Sequence, residues 1–325
     1  MNPVIVIQGP SKINEVPRLG ELSDQAELRF ASSTDELRDA LPGADVMLGW
    51  NYQDDSLREA WNYAKDLRWI HWCGAGVDAA LFPELVASDV CVTNARRIFD
   101  EPMAEWVLGM IISFAKKFPE TLIFQTNAEW NCRVNETITG KRALIVGVGS
   151  VGRAIGRRLR INGMEVEAIG RSARDGDPDF GHIYSADELH SRLPNVDFVV
   201  MVAPLTDQTH SLFGADEFKI MASHARFINL GRGEQVVEDD LLAALHEGWI
   251  AGAALDVFVE EPLPADSPIW QAPNCLVSPH MSSYFIEYEA AMADQFMDNW
   301  ALYTAGKQPL NVVDKSLGFV PSATP

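Results

Sequence analysis

Short runs of apolar and β-branched residues alternate with stretches of helical periodicity along nearly the whole chain. Val4 to Ile7, Leu28 to Ala31, Val46 to Trp50, Leu67 to Trp72 and Val90 to Thr93 read as buried strands, and a Ser33-x-x-Glu36 capping box opens one of the helices between them. A second series starts at Ala143. It runs through Ala143 to Val148, Glu165 to Ile169, Phe198 to Val202, Arg226 to Leu230, Ala253 to Val257 and Cys275 to Val277, again with helical stretches between. Such alternation implies parallel sheets covered on both faces, so the expected fold is α/β, with two doubly wound parallel-sheet domains. Glu101 to Phe118, with Pro102 in its first turn, predicts a helix joining the two series, and Ile286 to Thr304 predicts another after the last strand.

Composition narrows the function. A length of 325 residues suits two ordinary domains, and 47% apolar with 22% charged residues describes a globular chain. The formal charge of −20 argues against nucleic acid or an anionic membrane as a partner. An acidic, Lys-poor balance also suits a salt-adapted source, although an ordinary acidic cytosolic protein has the same balance. Cys73, Cys91, Cys132 and Cys275 lie far apart with no C-x-x-C pair, which predicts no metal site and fits a reducing cytoplasm. The start lacks the basic and long apolar segments of a signal peptide, and no apolar stretch reaches the roughly 20 residues of a membrane helix.

The clearest chemistry follows the strand Ala143 to Val148. Gly147, Gly149 and Gly152 form G-x-G-x-x-G between that strand and a helix predicted over Val151 to Asn162. In this context the first glycine permits a tight turn, the second lets main chain approach a pyrophosphate, and the third allows helix and strand to pack closely. With Ser150 and Val151 supplying amides at the helix start, the turn predicts a dinucleotide site. NAD-binding versions carry a carboxylate about 20 residues on. This chain has Gly170-Arg171-Ser172-Ala173-Arg174 there, and Arg171, Ser172 and Arg174 suit a 2′-phosphate, so NADP(H) is favoured over NAD(H). From Lys141 to Arg174, eight basic residues face two acidic ones, a net of +6. Arg153, Arg157, Arg158 and Arg160 also read as the solvated face of a helix.

Three ionisable residues fall at loop-like ends of later strands: Arg232 between glycines, Glu261 before Pro262, and His280 after Pro279. In an open parallel sheet, ligands bind beyond the carboxyl ends of the strands, where these residues and the glycine turn all lie. The sequence resembles the D-isomer-specific 2-hydroxyacid dehydrogenase family, whose Arg, Glu and His match Arg232, Glu261 and His280 in order and local motif. The likeness runs from Gly74-Ala75-Gly76-Val77-Asp78 through Thr93-Asn94 and Ala104-Glu105 to His280.

The resemblance implies a Rossmann cofactor domain over 99–285 inserted in a flavodoxin-like substrate domain formed by 1–98 plus 286–325. It implies reduction of a small 2-oxo acid, of the glyoxylate or hydroxypyruvate kind, to a D-2-hydroxy acid. His280 then supplies the proton, Arg232 anchors the substrate carboxylate, and Glu261 keeps the imidazole charged and aimed. Backbone amides of Ala75, Gly76 and Val77 complete the carboxylate site. Ala203, Pro204 and Thr209 pass along the cofactor, and Asp256 meets the nicotinamide carboxamide or, as a strand-end carboxylate, caps a nearby turn. A homodimer is implied, with the region around Trp130 crossing toward the partner.

Trp50, Asn51, Tyr52 and Trp72 either narrow the pocket toward a compact substrate or pack the smaller domain. Where the family often has small residues after the histidine, this chain has Met281-Ser282-Ser283-Tyr284, which brings Ser283 and Tyr284 toward the substrate. A second reading on the same fold is a non-enzymatic, dinucleotide-sensing interaction protein of the corepressor type.

Overall fold

Strand β1 (Val4–Gln8) is buried along its whole length, as a central strand covered on both faces must be. Around it, β2 (Glu27–Ala31), β3 (Val46–Gly49), β4 (Trp69–Trp72) and β5 (Cys91–Asn94) complete a five-stranded sheet ordered β2-β1-β3-β4-β5, with every neighbouring pair parallel. This is the flavodoxin-like order, with its switch point between β1 and β3. The computed structural model describes residues 2–52 and 54–321. The chain divides into two compact units, one of residues 1–99 with 285–325 and one of residues 100–284.

The return of the chain to the first unit has a packing reason. Trp69 stacks on Phe296 and Tyr303, with ring centroids 5.5 and 5.1 Å apart, so the helix Tyr288–Thr304 covers the sheet with aromatic surface. The indole N–H of Trp69 donates to Thr93 Oγ1 at 2.9 Å, which satisfies its polar end in the core. Trp72 is also core: it is fully buried, and its ring lies where a β-carbon on Gly49 would fall, 2.5 Å away.

The second unit has six parallel strands in the order β13-β12-β11-β10-β6-β7. In chain order they are β6 (Arg142–Val146), β7 (Glu165–Ile169), β10 (Phe198–Met201), β11 (Arg226–Asn229), β12 (Gly252–Leu255) and β13 (Cys275–Val277). A parallel bridge from Ile169 to Tyr184 lies outside β7, where a dinucleotide-binding sheet places its third strand. The topological switch point therefore falls between β6 and β10.

Local chemistry departs from the sequence pattern in four places. The predicted helix Glu101 to Phe118 stops at Lys116, Lys117 turns left-handed at φ 52°, and a second helix, Phe118–Thr126, follows. Pro119 is the cause: it has no N–H for the Ala115 carbonyl four residues back and its ring would clash there, and that carbonyl accepts the Glu136 N–H at 3.0 Å instead. The helix predicted from Ile286 begins only at Tyr288. At the Ser33 cap, Glu36 reaches back to Ser32, N–H and hydroxyl alike, rather than to Ser33.

The fourth departure is an antiparallel hairpin of β8 (Arg174–Asp177) and β9 (Gly181–Ile183), which periodicity does not announce because its strands are short and polar. Phe180 docks it onto the helix Ser150–Ile161 at Gly156, where a β-carbon would stand 2.6 Å from the ring. Arg153 adds two bonds to Asp177, at 2.8 and 2.7 Å, and one to Asp179 at 2.8 Å.

These contacts correct the basic island. Arg153 and Arg157 pair with Asp179, Arg158 pairs with Glu101 and Glu105, and Arg174 stands 3.6 Å from Asp177. Acids just beyond the counted window, and others on a neighbouring helix, offset most of the +6.

The hydrogen bonds from Arg153 outweigh the burial of Asp177 and hold its carboxyl down to about 2, against an ordinary value of 3.8. Because the folded value is the lower one, this stabilisation is complete above about pH 4 and is lost as pH falls toward 2. Asp177→Asn is therefore expected to cost about 2 kcal/mol near pH 7. The gap from the parent protein, read from urea unfolding, should narrow between pH 4 and pH 2, and a gap independent of pH would contradict the pairing.

Candidate active site

Packing accounts for two of the three glycines in the turn after β6, and the third is the N-cap of the following helix, with open space beside it. A β-carbon at Gly147, whose φ is 122°, would meet the main chain of Val202 and Ala203 at 2.6 to 2.8 Å, and one at Gly152 would lie 2.0 Å from the Gly147 carbonyl. Gly149 has an ordinary φ of −70°, and its β-carbon would meet nothing within 4 Å. It also starts the helix Ser150–Ile161 with no side-chain cap, which leaves the first amides, those of Ser150, Val151 and Gly152, available to an anion. A dinucleotide pyrophosphate fits this cradle.

Two neighbouring segments flank this turn. Gly170 at the end of β7 packs against Val148 of the turn, its β-carbon position 3.1 Å from that side chain, and Arg171 and Ser172 follow it, both exposed. Ala203 and Pro204 follow β10 on the opposite side of the switch point, against Gly147. Thr209 closes their loop from within. Its hydroxyl donates to the Pro204 carbonyl at 2.7 Å and accepts the Thr206 N–H at 2.8 Å, so its one proton is already committed.

At the carboxyl ends of β11, β12 and β13 lie Arg232, Glu261 and His280. His280 Nδ1 is 2.6 Å from Glu261 Oε2, while Glu261 Oε1 accepts the Phe258 N–H at 2.9 Å. An ionised carboxylate only accepts, so Nδ1 carries the hydrogen and Nε2 is the ring atom left for chemistry. Burial pushes the Glu261 carboxyl upward. The bond from His280, the Phe258 amide and the positive charges of His280 and Arg232 more than offset it and hold the group below its usual range. Arg232 is half-buried and steadied by a bond from Nη1 to the Gly231 carbonyl at 2.8 Å.

Asp256 caps the turn that carries His280, one of the two roles expected of it. It is fully buried, Ser278 Oγ donates to Oδ1, and the amides of Met281 and Ser282 donate at 2.9 Å each. Its own carbonyl accepts the His280 N–H at 2.8 Å. His280 has φ 50°, an uncommon conformation for a side-chain-bearing residue, and Asp256 holds the loop on both sides of it. The sequence signal for this role was an acid at a strand end followed 22 residues later by a Ser-Pro-His turn.

In the first unit, Asn94 Nδ2 donates to the Ala75 carbonyl at 2.6 Å, which shapes the small-residue turn Ala75, Gly76 and Val77. Tyr52 packs on Gly74, 3.0 Å from its β-carbon position, and Trp50 is partly exposed. Ser283 and Tyr284 follow the His280 loop, Tyr284 exposed and Ser283 partly buried. Among the described residues no cluster of His, Cys, Asp or Glu suits a metal ion, and no helix is long and apolar enough to cross a membrane.

A glycine turn at the switch point of a parallel sheet, with a histidine and carboxylate paired at the same edge, defines a dinucleotide-dependent oxidoreductase scaffold. Residues 108–282 match the family described as D-isomer specific 2-hydroxyacid dehydrogenase, NAD binding domain. The chain is 31% identical to glyoxylate/hydroxypyruvate reductase B of Escherichia fergusonii, over 96% of this chain and 95% of that protein.

Among solved structures, it resembles an NADPH-dependent glyoxylate/hydroxypyruvate reductase of Sinorhizobium meliloti crystallised with NADP and sulfate, at TM-score 0.84 and 28% identity. The match covers 98% of this chain and 100% of that one. A D-isomer specific 2-hydroxyacid dehydrogenase of Xanthobacter autotrophicus, crystallised with NADPH and MES, matches at TM-score 0.83 and 28% identity, with the same coverage. The chain belongs to the D-isomer-specific 2-hydroxyacid dehydrogenase family and is an NAD(P)-dependent oxidoreductase.

Proposed function

We propose that the protein reduces a small 2-oxo acid, of the glyoxylate or hydroxypyruvate class, to the D-2-hydroxy acid, with NADPH preferred over NADH. The observation that carries this reading is the 2.6 Å bond between His280 Nδ1 and Glu261, which leaves Nε2 as the one ring position able to deliver a proton. When bound, the reduced nicotinamide supplies the hydride.

His280 donates its Nε2 proton to the carbonyl oxygen as negative charge develops there, and Glu261 stabilises the imidazolium that precedes transfer. Arg232 holds the substrate carboxylate through paired N–H bonds and lends positive charge to the reacting carbonyl. The small-residue turn at Ala75, Gly76 and Val77 offers amides of the kind that bind a carboxylate. The activities of its relatives support the substrate class, and the two NADP(H)-bound structures support the cofactor. Arg171 and Ser172 take the 2′-phosphate, while Arg174, drawn toward Asp177, contributes less.

A homodimer is part of the same proposal. Phe118, Leu122, Ile123, Trp130 and Val134 are all exposed large apolar residues within one stretch of the cofactor unit, Trp130 completely so. Light scattering should return twice the chain mass, and a monomer at micromolar concentration would remove this claim.

Three results are expected. Absorbance assays should show NADPH consumed with glyoxylate or hydroxypyruvate, and His280→Asn should lower kcat by on the order of 10² to 10⁴ with NADPH affinity nearly unchanged. Turnover on no 2-oxo acid would instead favour a dinucleotide sensor. Arg171→Asp should weaken NADPH by on the order of 10-fold or more and leave NADH almost unaffected. Equal losses for both cofactors would sink the 2′-phosphate assignment.

A further inference from the structure

Gln235 is completely buried at the end of the short turn Gly233–Gln235, and its carboxamide makes three bonds. Oε1 accepts the backbone N–H of Arg232 at 2.8 Å. Nε2 donates to the carbonyls of Ala203 at 3.0 Å and Pro204 at 3.2 Å. The amide therefore joins the main chain that carries the substrate-anchoring arginine to the segment assigned along the cofactor. Gly231 is shaped around it, since a β-carbon there would lie 2.2 Å from Oε1.

An apolar side chain of the same size fills such a position more cheaply if filling is all that is needed. The three contacts require one acceptor and two donors on a single planar group, which among neutral side chains of this length only glutamine provides. The donors point at one loop and the acceptor at the other, so the carboxamide bridges the Arg232 N–H to Ala203 and Pro204.

We propose that Gln235 is a positioning residue that sets where Arg232 stands relative to the bound cofactor, so that the two ligand sites are coupled through its carboxamide. The proposal rests on the reading of Arg232 as carboxylate anchor. It implies that losing the amide weakens 2-oxo acid and NADPH together, although Gln235 touches neither. Glutamate in its place brings a carboxylate against two carbonyl oxygens and disrupts the same link by repulsion.

The test compares Gln235→Met, which keeps length and bulk without hydrogen bonds, with Gln235→Glu and the parent protein. Folding is checked by thermal unfolding. For the methionine variant, KM for glyoxylate should rise on the order of 10-fold, with kcat reduced less, and the NADPH dissociation constant by fluorescence should rise several-fold. Unchanged KM and NADPH affinity with only a lower melting temperature would show a purely structural amide and overturn the proposal. If Gln235→Met does not fold, the same KM and NADPH comparison on Gln235→Glu decides the matter with the same criteria. If the parent protein turns over no 2-oxo acid, the proposed function fails by itself. NADPH titration then still decides the cofactor half, a several-fold loss in the methionine variant supporting it and no change overturning it.

Discussion

Main-chain segments at the carboxyl edge of the six-stranded sheet approach one another more closely than any β-carbon permits, and the active-site geometry depends on that approach. Gly147 lies against Val202 and Ala203, and Gly233 lies against Phe258, whose carbonyl carbon would be 2.0 Å from an added β-carbon. Phe258 in turn donates its N–H to Glu261, which holds His280. The phosphate turn, the arginine loop and the histidine pair are thus linked through close backbone contacts together with the side chains of Gln235 and Glu261. Placement of reacting groups to a fraction of an ångström needs such support.

Charge is handled in the same economical way. The chain carries −20 overall, yet on the cofactor helix Arg153, Arg157 and Arg158 pair with Asp177, Asp179, Glu101 and Glu105, while Arg160 donates to the Val166 carbonyl. Pairing them fixes the β8–β9 hairpin and helix contacts while leaving Arg171 in the exposed loop after β7. At the catalytic edge, the Glu261 carboxylate is shared between an amide and an imidazole, so neither of its oxygens is idle. Asp256 is satisfied by a hydroxyl and two amides, which serves to hold a loop.

Much of this was legible in one dimension. Eleven predicted strands correspond to β1 to β7 and β10 to β13, within a few residues at each end, because fully buried parallel strands are nearly continuous apolar runs. The glycine turn was readable because spacing, preceding strand and following helix agree. The β8–β9 hairpin was not, since its polar strands are held by Phe180 and Arg153 from another element. Nor was the break at Lys117, where the following Phe-Pro pair outweighed an uninterrupted helical periodicity.

The sequence by itself determined the fold class and the glycine turn, because those follow from local periodicity and spacing, and the family resemblance pointed to Arg232, Glu261 and His280. Tertiary structure decided what each polar group has left to offer. Thr209 spends its proton on Pro204, Asp256 spends its oxygens on the His280 loop, and Gln235 spends its amide on two functional segments. A hydrogen bond joins partners distant in sequence and uses up a valence that spacing along the chain cannot reveal.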